Sequence, residues 1–118
     1  MQNWTRLAAR YGRMTWQQRL GNLASTLARS STASQHQGTS ASVPDLLREG
    51  MWIIEWGAAD TPPDTLAELA LMQLELGLLR RAWERDALAI QPVLAYRARA
   101  MSDRVLQLSG LLDDQGAA

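Results

Sequence analysis

Apolar residues recur along most of this chain at spacings of three and four, the mark of helices that bury one face. Trp4, Leu7, Ala8, Tyr11 and Met14 make a first stripe, and Trp16, Leu20, Leu23 and Leu27 a second. At about 100° per residue the second is turned roughly 150° from the first. Between them, Gly12 suits a helix end, while Thr15 and Gln18 spell a capping box, each side chain accepting from the other's backbone N–H. The pattern therefore predicts a helix over about 3–12 and another over 16–29, in preference to one continuous helix. Residues 30–42, SSTASQHQGTSAS, carry no large apolar side chain and read as a flexible connector.

Three longer helices are expected beyond it. The first, about 43–59, is capped by Ser42, with Pro44 and Asp45 in its first turn. Its wide apolar arc (Val43, Leu46, Leu47, Met51, Ile53, Ile54 and Ala58) implies a central helix with several neighbours, approached closely at Gly50 and Gly57. The second, about 62–89, starts at the DTPPD turn with Thr61 as cap and Pro62 in the first position. It has two apolar stripes: Leu69, Met72, Leu76, Leu79 and Trp83, and then Ala67, Leu71, Leu74, Leu78 and Ala82. The third, about 92–110, is expected to begin at the break that Pro92 imposes and to stop at Gly110. The fold class is all-α: an antiparallel helical bundle of these three helices plus the two N-terminal ones. It divides into an arm (1–29), a linker (30–42) and a bundle (43–118).

Charge adds a polarity to this picture. The chain of 118 residues has net charge zero, yet residues 1–42 hold five Arg and no acid, while residues 43–118 hold seven Arg against twelve acids. A basic arm of this kind docks on its own acidic bundle, or meets an acidic partner. Arg6, Arg10 and Arg13 share one face of the first helix and form a candidate basic face for nucleic acid or an anionic membrane. The Arg-rich, Ser-rich and acid-free composition of 1–42 also fits a transit peptide. The capping box and the Leu20/Leu23/Leu27 stripe favour a folded element instead.

Catalytic chemistry finds little to use. Cysteine is absent, which excludes disulfides, thiolate metal sites and thiol nucleophiles. Every basic residue is Arg, which excludes a lysine Schiff base and the P-loop lysine. His36, the single histidine, falls in the connector, and no group of residues has zinc-like spacing. Glu68 and Glu75 share a helix face about 10 Å apart by helix rise, and read as the solvated ridge between two apolar stripes. No catalytic residue, cofactor or metal is expected, and the chain is read as a non-enzyme of the cytoplasm.

Trp52 and Trp56, four apart and beside Arg48, are candidate interface anchors, because Trp and Arg are enriched where proteins bind one another. Leu71, Leu74 and Leu78 are the second candidate, since they exceed what a three-helix bundle has to bury. The stretches LGNLASTLAR (20–29) and MWIIEW (51–56), followed by a Leu-rich helix ending near Trp83, resemble small helical proteins of cyanobacteria. That resemblance implies a cytoplasmic helical protein and assigns no activity. The expected function is a helical protein–protein interaction module, an adaptor or a self-associating subunit. Its partner is another protein or a second copy in a homodimer, in preference to nucleic acid or a membrane surface.

Overall fold

A computed structural model of the protein describes residues 4–36 and 43–111. Among these residues the fold is an all-helical bundle of five α-helices: α1 (Trp4–Gly12), α2 (Trp16–Ser34), α3 (Val43–Trp56), α4 (Pro63–Arg85) and α5 (Ala87–Ser109). The break between α1 and α2 falls where the capping box places it. Gln18 N–H donates to Thr15 Oγ1 at 3.1 Å, and Thr15 N–H donates to Gln18 Oε1 at 3.0 Å.

Three boundaries depart from the sequence reading, each for a local reason. Residues 30–34, expected in the connector, continue α2. Ser30 and Ser34 return their hydroxyls to the Thr26 and Ser31 carbonyls, so these polar side chains are satisfied within the helix they were expected to end. The break between the last two helices lies at Asp86, not at Pro92. Asp86 N–H closes α4 on the Ala82 carbonyl at 2.9 Å, and its carboxylate caps α5 by accepting from Ala89 N–H. Pro92 then sits inside α5, where it leaves the Leu88 carbonyl without its helical donor, beside an exposed side chain. Thr61 does not cap α4; its hydroxyl donates to the Gly57 carbonyl at 2.7 Å and fastens the 3₁₀ turn Ala58–Asp60 that follows α3. The helix end at Gly110 is as expected, with a left-handed φ of 73°. Ser42 and the connector over 37–42 lie outside the described residues.

Four helices close the bundle. α2 packs on α3 and α5, and α4 packs on the same two. The N-terminal helix pair therefore does not behave as one arm, because α2 is a wall of the core and its largest contact is with α5. Two hydrogen bonds set that pair. Ser31 Oγ donates to the Ala95 carbonyl and Ser102 Oγ to the Ala24 carbonyl, both at 2.7 Å. The partners run in opposite order along the two helices, so α2 and α5 are antiparallel. Ala24, Ala95, Ala98 and Ser102 are all buried there, small enough to let the backbones approach. Around them Leu23, Leu27, Leu47, Ile53, Leu69, Leu76, Leu94 and Met101 fill the core, each burial stabilising by about 1.5–3 kcal/mol before entropy is counted. Gly50 lets α3 close on its neighbours, since a Cβ there would meet Leu76 of α4 at 3.3 Å and Leu23 of α2 at 3.5 Å.

Candidate interaction surface

α4 presents opposite faces of the same composition. Leu69, Met72, Leu76 and Leu79 are buried, whereas Leu71, Leu74 and Leu78 are 69%, 63% and 56% exposed. The exposed leucines point directly away from the core, so no element of the described chain covers them. The basic α1 packs on α3 and not on this stripe.

The borders of the stripe are built differently on its two sides. Towards α5, Arg97 holds Glu75 through two hydrogen bonds at 2.6 and 2.9 Å, and Arg104 holds Glu68 in the same way at 2.5 and 2.9 Å. The partners are seven residues apart on each helix and run in opposite order, a ladder that locks α4 antiparallel to α5. Each guanidinium holds its carboxyl below the usual carboxylate range. A carboxyl held ionised by a forked guanidinium is a poor proton donor, which gives Glu68 and Glu75 a structural task as a charged ridge. Towards α3, Gln73 donates to the Met51 carbonyl at 3.1 Å, and Arg80 faces Glu84.

Trp52, Trp56 and Arg48 belong to a separate surface. Together with Trp4, Met51 and Arg80 they line an open groove of about 870 Å³ between α1, α3 and α4. Trp56 is its centre: Tyr11 and Trp52 stack on it with ring centroids at 5.7 and 5.8 Å, and Trp4 leans on it at 6.2 Å. Most of this aromatic surface therefore ties α1 to α3, leaving Trp52 as the more open ring at 44% exposure. None of Leu71, Leu74 and Leu78 lines the groove, so the two sets of candidates are not brought together.

Arg6, Arg10 and Arg13 are all exposed, the first two on α1 and Arg13 in the turn that follows it, with the Arg10 guanidinium 5.7 Å from the centre of the Tyr11 ring. Another arginine of the basic segment has a different fate. Arg19 is buried, donates to the Tyr11 and Met14 carbonyls at 3.2 and 2.7 Å, and pairs with Asp60. It pins the α1–α2 turn to the 3₁₀ turn beyond α3, and a Cβ at residue 57 would run into its guanidinium. Nothing in the periodicity sets Arg19 apart, because its partners come from Tyr11, Met14 and Asp60. Glu49 is buried with the Arg29 guanidinium 3.6 Å away, and one of its oxygens takes no hydrogen bond. Burial, with the Glu49 carboxyl second, pushes the Tyr11 phenol up.

His36 is exposed, with Nδ1 2.8 Å from the Thr32 carbonyl. Among the described residues no group of three His, Cys, Asp or Glu side chains is placed to hold a metal ion. Also among them, no helix is long and apolar enough to cross a membrane. Comparison with protein-family models, curated proteins and solved structures finds no match.

Proposed function

We propose that the protein is a non-enzymatic helical interaction module whose docking surface is the outer face of α4. The observation that carries this reading is the exposure of Leu71, Leu74 and Leu78 on a helix whose opposite face is already buried in the core. Single exposed leucines are ordinary; an aligned row at helical spacing, bordered by ordered ion pairs, is what a helix partner needs. The ladder on one side and Gln73 on the other hold α4 fixed, so little ordering cost is left for binding.

Electrostatic binding through Arg6, Arg10 and Arg13 is the weaker reading. Their exposure supports it, but the Trp4 and Tyr11 rings are spent on Trp56. That leaves α1 little apolar surface to enter a bilayer, and three aligned arginines make a thin footprint for nucleic acid.

Leu74→Glu tests the proposal. Placed on an exposed position, it should change folding stability by no more than about 0.5 kcal/mol, while removing any complex the full chain makes, with itself or with another protein. Sedimentation velocity alongside thermal unfolding reads both quantities. A full chain that forms no complex sensitive to Leu74→Glu would remove the reading.

A further inference from the structure

The outer stripe of α4 has ends as well as a middle. Asp64, Ala67, Leu71, Leu74, Leu78 and Arg81 follow one another at spacings of three, four, three, four and three. This is an unbroken a/d seam of the kind that packs knobs into holes. Read backwards, the spacing is the same, and each residue meets its complement. Asp64 falls opposite Arg81, the small Ala67 opposite the large Leu78, and Leu71 opposite Leu74. Asp64, Ala67 and Arg81 are exposed like the leucines, and among the described residues neither Asp64 nor Arg81 has an ion pair. They are charges of opposite sign at opposite ends of one apolar row.

From this we infer that the occupant of the α4 face is a second copy of the chain, docked antiparallel about a two-fold axis that crosses α4 between residues 72 and 73. The inference rests on the docking reading above and names its partner. A two-fold contact must be self-complementary, and this row is self-complementary in charge and in size. Parallel pairing of two such helices places Asp64 against Asp64 and Arg81 against Arg81, so the same charges that favour the antiparallel pair oppose the parallel one. Ala67, small and exposed, allows the close approach that the Leu78 side chain of the other copy requires. The Glu68–Arg104 and Glu75–Arg97 ladder borders the seam without entering it.

The test is a charge exchange in the full chain, read by sedimentation equilibrium, with far-UV circular dichroism to verify the helices. The wild-type chain should dimerise. Asp64→Arg alone and Arg81→Asp alone each place like charges at both ends of the seam and should weaken dimerisation roughly tenfold or more. An equimolar mixture of the two single variants pairs Arg with Asp at both ends, as does the double variant with itself; both should recover the wild-type strength. A monomeric wild-type chain overturns the inference, and so does a dimer indifferent to the single exchanges or one that mixing fails to restore. The docking reading is judged separately: a monomeric chain that still loses a different partner on Leu74→Glu overturns the second copy and leaves that reading standing.

Discussion

A guanidinium taken out of water is tolerated only when its charge and its fan of donors find partners. Arg19 meets that condition with the Tyr11 carbonyl near the end of α1, the Met14 carbonyl in the turn after it and the Asp60 carboxylate beyond α3. Asp60 is drawn below its ordinary pKa by the hydrogen bond from Arg19. Arg19→Met should leave the Met14 carbonyl without its donor, the Tyr11 carbonyl with the Met14 N–H alone, and Asp60 without its counter-charge, at a cost of about 1–3 kcal/mol. Urea unfolding measures the loss, and a red shift of the tryptophan emission should report loosening of Trp4 and Trp56. Gly57→Ala should destabilise the wild-type chain by pressing on the same guanidinium, and do much less once Arg19 is Met. That non-additivity is the signature of contact. As sequence, Arg19 is one cation in a basic segment; its partners are what set it apart, and they are assembled by the fold.

At the scale of the helix, α4 and α5 are joined by a ladder whose carboxyls sit low in pKa, and the sign of its pH dependence follows from that. A carboxyl of folded pKa below its unfolded value stabilises the fold at pH above the unfolded value, ordinarily about 4.3, and that contribution is lost as pH falls through the folded value. Acidification below that range should therefore lower the Tm, and Glu68→Gln with Glu75→Gln should flatten this part of the profile. The fraction that remains includes Asp60, whose pKa is also lowered. Thermal unfolding across acid pH, with and without the two substitutions, checks it. What the sequence disclosed about the elements divides on the same line between local and distant causes. The Thr15–Gln18 box and the Gly110 stop were legible because their donors and acceptors lie within one turn. The last turns of α2 were not, since Ser and Ala describe a linker and a close-packed helix face equally well until α5 is placed against them. Pro92 misled because Asp86 offers both helices an end before the proline is reached. On the candidate surface, Leu71, Leu74 and Leu78 were legible as a surplus stripe. Asp64 and Arg81 were not, because each passes for an ordinary helix-end charge until the seam is drawn between them.

Across the whole molecule the pairing of α2 with α5 dominates, and it uses small side chains where the rest of the core uses leucine. Close packing of this kind tolerates added volume badly. Ala98, fully buried in that core, should cost about 1–3 kcal/mol when changed to Leu. Ser31→Ala and Ser102→Ala should each cost about 1 kcal/mol, the usual net worth of a buried hydrogen bond. Denaturant titrations of the three variants check these values. The ordering they should reveal, with Ala98→Leu the most damaging, depends on the α2–α5 seam being the closest approach in the bundle.

The same seam has a consequence in time. Its two hydrogen bonds join residues 64 and 78 positions apart, so a ribosome delivers α2 early and its main mate late. Throughout the synthesis of α3 and α4, the Ser- and Ala-lined face of α2 has nothing to close upon. Contacts between distant segments form slowly, and surfaces that wait for them are open to wrong partners. The nascent chain thus leaves the exit tunnel with its best-fitting half still to come. The native bundle waits on α5, and that helix decides whether the early one is kept.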